Sequence, residues 1–209
     1  SHPDRMLNAL QHPTSGIFVE AALIGCFCAC VAIYAIMVKR GVSESARKVV
    51  VVIGAAFGIA LSFMAGESYM MEARPNWNTP LLPLGYLGTA IPAGVAAYLT
   101  VVAARKEIDD AKPYAVTLLV GGVVAAVTAL AYGLSAGALD ATTGMLLALC
   151  VVGAGVVPAA CGAVLRTKAN SLLALAAVSL VCALVGAVAY RCIMWLITVP
   201  VSDLFGIVL

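Results

Sequence analysis

The sequence predicts an all-α integral membrane protein, with about six transmembrane helices in one bundle and both termini on the extracytoplasmic side. Three observations carry this reading. Hydrophobic residues make up 63% of the chain, charged residues only 11%, and the mean hydropathy is +1.07; soluble domains run at about 45–50% apolar and about 25% charged. Six apolar runs approach the roughly 20 residues needed to cross the hydrocarbon core. Finally, the basic residues gather in alternate linkers, which fixes an orientation. A net charge of +2 gives no reason to expect nucleic-acid binding.

The six runs are 16–38, 48–66, 81–104, 115–137, 144–165 and 171–190. They read as one domain over residues 1–209, with no soluble insertion and no internal repeat. The polar first fifteen residues have no h-region, so no signal peptide is expected. The linker after the first run holds Lys39, Arg40, Arg47 and Lys48. The linker after the third holds Arg105, Lys106 and Lys112, and the linker after the fifth holds Arg166 and Lys168. Of the 12 basic residues only Arg5, Arg74 and Arg191 remain for the other side. Positive linkers stay cytoplasmic, so the termini, the 66–81 segment and the 138–143 loop are expected outside. Gly54 and Gly58 in GAAFG form a small-xxx-small pair suited to close helix approach. Pro92 and Pro158 fall inside the third and fifth runs, where each removes a helical donor. An outer C-terminal segment is expected over 192–209, interrupted by Pro200 and Asp203.

The least apolar part of the chain between two spans is GESYMMEARPNWNTPLLPLGYLG, residues 66–88. Carboxylates and arginines at a membrane edge are costly and tend to be functional. Glu20, one turn into the first helix, and Arg191, at the end of the sixth, are expected on the same outer face as Glu67, Glu72 and Arg74. Polar and aromatic side chains together suit an amphipathic ring ligand such as a quinol, whose head needs hydrogen bonds and a proton acceptor while its tail needs lipid access. Glu20 or Glu67 would accept a proton, Arg74 or Arg191 would steady an anion, and Tyr69, Trp77 or Tyr86 would flank the ring. Tyr and Trp are also ordinary residues of the interfacial belt.

No metal centre is expected in this chain. Its two histidines, His2 and His12, lie in the polar N-terminal stretch, whereas a haem between helices needs ligands within the bilayer. The seven cysteines form no CxxC pair, and Cys26, Cys28 and Cys30 alternate sides of a helix. They read as small apolar packing residues.

The FGIALSFMAG end of the second run, the following ESYMMEARPNWNTPLLPLGYLGTA, and SLVCALVGAVAYRCIMW near the C-terminus resemble the dimethyl sulfoxide reductase anchor-subunit (DmsC-like) family. The resemblance implies a non-catalytic membrane subunit in the prokaryotic cytoplasmic membrane. It would tether a molybdopterin catalytic subunit and a [4Fe–4S] subunit outside, oxidise menaquinol near the outer face in anaerobic respiration, and pass the electrons to the nearest cluster. It carries Met64–Asn78 and Arg191 over to quinol binding. The chain departs from that family in having six helices where eight are common. It also lacks the histidine often found at the end of helix two (FMAGESY here) and an acidic residue in helix three (GTAIPAG here). Two other readings are a small secondary transporter built from inverted repeats and a structural tether without a quinol site.

Overall fold

The computed structural model describes residues 15–108, 110–138, 140–167 and 171–197. Among these, every regular element is helical, and six helices are long and apolar enough to span a membrane. They are α1 (Gly16–Lys39), α2 (Glu44–Glu67), α3 (Leu81–Arg105), α4 (Lys112–Ser135), α5 (Ala141–Leu165) and α6 (Leu172–Leu196).

The six expected helices are present, and most run further than their apolar stretches. Helix ends tolerate polar residues because the terminal backbone groups can reach water or caps. Thus α2 takes in Glu44–Lys48, and α4 starts at Lys112 with Pro113 in its first turn, where a missing N–H costs nothing. The largest difference is at α6, which was expected to end at residue 190. It continues through Arg191 to Leu196, because CIMWL is apolar and contains no breaker. The outer segment expected over 192–209 is therefore helical at its start. The rest of it, residues 198–209, lies outside the described residues, as does Arg5.

Three linkers close in the same way. After α1, Gly41 at φ 66 lets its N–H reach Val38 while the N–H of Val42 reaches Met37. After α4, Gly137 at φ 75 does the same with Leu134, and Ala138 with Gly133. After α3 the left-handed residue is Lys106, with φ 57. Each pair of bonds satisfies two carbonyls of the last turn. Two helix starts are capped by side chains: Ser15 Oγ accepts from Phe18 N at 3.2 Å, and Asp140 accepts from the N–H groups of Thr142 and Thr143.

The chain forms two compact units, Ser1–Tyr69 and Met70–Leu209. In the first, α1 and α2 pack as a hairpin. Gly54 faces Cys30 and Gly58 faces Phe27, so the GAAFG pair does bring two helices together. No residue of α1 is buried within the described chain.

In the second unit α3 packs on α4 and α6, and α5 packs on α4 and α6, giving a closed four-helix bundle. Small residues set its close approaches. Gly122 meets Gly155 and Ala159, Gly153 meets Cys182 and Gly186, and Gly162 meets Ala115 and Leu119. Without a hydrophobic force between helices in lipid, such backbone contact supplies the packing. Pro158 has no N–H for the carbonyl of Ala154. Just before it, Val151–Val156 winds as a π-helix, with Val157 N bonded to Val152 O. A proline accommodated by a locally wider turn keeps α5 continuous.

Candidate functional site

The second unit holds a dense polar and aromatic cluster where the loop before α3 meets the C-terminal turns of α6. The last carbonyls of a helix have no partner within it. On α6 the loop supplies partners: Trp77 Nε1 donates to Met194 O at 2.8 Å, and Asn76 Nδ2 donates to Ile197 O at 2.6 Å. Asn76 O in turn accepts from Tyr132 Oη of α4 at 3.2 Å. One short loop thereby joins the ends of two helices. Trp77 is buried, its ring packed edge-on against Trp195 at 5.1 Å.

Tyr190 lies at the centre of this end of the bundle. Its hydroxyl donates to the carbonyls of Leu81 and Leu82 in the first turn of α3, at 3.3 and 3.1 Å. Its ring meets Tyr86 edge-on at 5.7 Å and Tyr132 at 5.3 Å. The approach depends on Gly85, because a Cβ there would fall on the Tyr190 phenol. Tyr86, also buried, directs its hydroxyl to Met194 Sδ at 3.5 Å.

Beside this cluster a cleft of about 270 Å³ opens between α3 and α6. One end is polar, with Tyr86, Thr89, Tyr190 and Arg191; the other is apolar, with Ala90, Ala93, Leu184 and Val188 among its walls. The Arg191 guanidinium sits over the Tyr86 ring, 5.2 Å from its centre, a favourable cation–π arrangement. Thr89 Oγ1 donates to Gly85 O at 2.9 Å. Thr89 spends its proton on a helix carbonyl, so its oxygen lone pairs remain to accept from a ligand, whereas the Tyr190 hydroxyl is buried against α3. The cleft can therefore accept hydrogen bonds, place a positive charge beside them, and hold an apolar tail.

The expected site residues divide between the two units. Tyr86 and Arg191 line the cleft, and Arg191 lies within α6 where the sequence placed it at the helix end. Trp77 braces α6 from outside the cleft, and the Arg74 guanidinium stacks on the Trp77 ring at 4.6 Å. In the first unit, Glu20 is half-buried and accepts a hydrogen bond from Ser68 Oγ. Glu67 is exposed and Tyr69 half-buried. Glu20 is thus met by a hydroxyl within its own unit, and Arg74 and Arg191 by aromatic faces within theirs. Sequence reasoning missed Thr89, Tyr190 and Tyr132, and included Asn76 only as part of the 64–78 stretch. Gly85, which the approach of Tyr190 requires, leaves a trace of this contact in the sequence, whereas Gly88 faces Thr128.

Fold and cluster together define a multi-pass membrane subunit with a polar and aromatic cluster at one end of a four-helix bundle. The family model of the DMSO reductase anchor subunit (DmsC) matches residues 1–199, and the chain belongs to that family. It is thus a membrane anchor subunit of a DMSO reductase-type complex. No curated protein and no solved structure matches the chain.

Proposed function

We propose that this anchor binds menaquinol in the α3–α6 cleft and oxidises it, its two electrons passing to an iron–sulfur partner and its two protons to the extracytoplasmic water. In this reading the termini and the loop before α3 face outward, in the cytoplasmic membrane of a prokaryote. A [4Fe–4S] subunit docks there and carries the electrons on to a molybdopterin catalytic subunit. The observation that carries the proposal is the cleft itself, with a guanidinium and the Thr89 hydroxyl at one end and lipid-facing aliphatic walls at the other.

Each lining residue has a role. Thr89 accepts a hydrogen bond from the quinol hydroxyl, and Tyr190 forms the wall behind it. Arg191 favours the negative charge left when a proton departs. Tyr86 flanks the ring and holds the guanidinium in place. Glu20 and Glu67 in the first unit are candidates for proton acceptance, and Tyr69 for ring contact; substitution tests each on its own. Arg74 and Trp77 fix the loop against α6.

The test uses the assembled complex and two electron donors, a menaquinol analogue and a soluble artificial donor. Arg191→Gln should slow quinol-driven reduction about ten-fold, the scale of one charge-assisted contact, and Thr89→Val about five-fold, the scale of one neutral hydrogen bond. Reduction by the soluble donor should be unchanged. Equal loss with both donors would make these residues assembly determinants, and unchanged quinol activity would favour a tether without a quinol site.

A further inference from the structure

We propose that the α1–α2 hairpin carries a second, lipid-specific site, which takes an anionic phospholipid with its phosphate at Arg47 and Lys48 and an acyl chain in the groove below. The proposal does not rest on the quinol reading, and every residue it uses lies within the first compact unit.

Two adjoining hollows make the site. A cavity of about 480 Å³ is lined by Tyr34, Glu44, Arg47, Lys48, Val51 and Val52. An apolar groove of about 290 Å³ shares Tyr34 and Val51 with it and continues past Phe27 and Val31, floored by Gly54 and Ala55. Polar space above, joined to apolar space below at a Tyr near a helix end, matches a phospholipid at the interface. The glycine and alanine give the groove its depth, because larger side chains would fill it.

Charge selects the headgroup. The hairpin turn carries Lys39, Arg40, Arg47 and Lys48 against one carboxylate, Glu44. Lys48 Nζ pairs with that carboxylate at 2.9 Å and Arg47 is attracted to it more weakly, so one negative charge faces two positive ones and the site stays net positive. Arg47 Nε is buried and has no hydrogen-bond partner among the described residues. A buried donor without an acceptor is costly, and a phosphate oxygen in the cavity would supply the acceptor. Basic pockets at the ends of membrane helices bind anionic headgroups on these grounds. A zwitterionic lipid offers the same phosphate with its own ammonium beside it, which would meet the guanidinium unfavourably.

The test is native mass spectrometry of the full chain from nanodiscs of equal phosphatidylglycerol and phosphatidylethanolamine, counting retained lipids. The wild type should retain phosphatidylglycerol preferentially. Arg47→Gln should lower its retention about five-fold, the effect of one basic residue near a membrane surface. Lys112→Gln, in a different basic linker, should change nothing. Ala55→Phe, which fills the groove and leaves every charge, should also reduce retention; this separates the site from a loss of folding, which the unfolding temperature monitors. Equal retention of both lipids, an equal loss with Lys112→Gln, or displacement of the lipid by inorganic phosphate alone would overturn the proposal.

Discussion

Replacing Trp77 by Phe probes the joint between the loop before α3 and the end of α6. The indole Nε1–H is the partner of the Met194 carbonyl at 2.8 Å, and Trp77 is only 3% exposed. Phenylalanine keeps an aromatic ring beneath Arg74 and against Trp195 but removes this donor. A buried carbonyl left unsatisfied costs about 1–3 kcal/mol. In bilayers the measured average for interhelical hydrogen bonds is lower, about 0.6 kcal/mol, but Met194 O lies in the last turn of its helix, where carbonyls depend on partners from outside it. We therefore expect about 1–2 kcal/mol of destabilisation for Trp77→Phe. For a chain of this size that corresponds to a fall of about 2–8 °C in unfolding temperature. Trp77→Ala also removes the ring and should cost about 3–5 kcal/mol. The assay is thermal unfolding in one detergent, followed by near-UV circular dichroism. If Trp77→Phe melted with the wild type while Trp77→Ala fell sharply, the hydrogen bond would contribute nothing and the joint would be packing alone.

Two further predictions follow from the same end of the bundle. Gly85→Ala should destabilise by about 1–3 kcal/mol through overpacking against Tyr190, outweighing the gain of about 1 kcal/mol that alanine brings to a helix interior; a higher unfolding temperature would contradict the close approach. At α5, the Thr143 hydroxyl donating to Asp140, together with the N–H groups of Thr143 and Thr142, holds this carboxyl below its ordinary range. A carboxyl lowered on folding stabilises above its unfolded pKa of about 3.9 and loses that contribution as pH falls through the folded value. The wild type should therefore lose stability below about pH 4 relative to Asp140→Asn, and parallel pH profiles of the two proteins would count against the cap.

The helices were legible because a span leaves a strong signal, some 20 apolar residues between charged linkers. Their ends were less so. Arg191 looked like a terminus, since a cation inside a span is costly; within α6 it is accommodated over the Tyr86 ring. Arg74 is accommodated in the same way over Trp77. The Arg74 contact is local, three residues along the same loop, but Tyr86 and Arg191 come together only when α3 packs on α6. Tyr190 and Tyr132 carried no sequence signal of their own, because their partners also lie on other elements. Asn76 could be singled out as polar, but its target, a backbone carbonyl at the end of another helix, carries no residue signature. The π-turn before Pro158 shows what the proline alone could not tell: the missing donor can be absorbed by wider winding.

The quinol cleft is tested most directly by photolabelling the complex with an azido-quinone and mapping the labelled peptides. The account predicts label on the α3 segment around Tyr86–Ala93 and the α6 segment around Leu184–Arg191, suppressed by excess menaquinol and lost in Arg191→Gln. Competable label confined to α4 and α5, with α3 and α6 unlabelled, would contradict it.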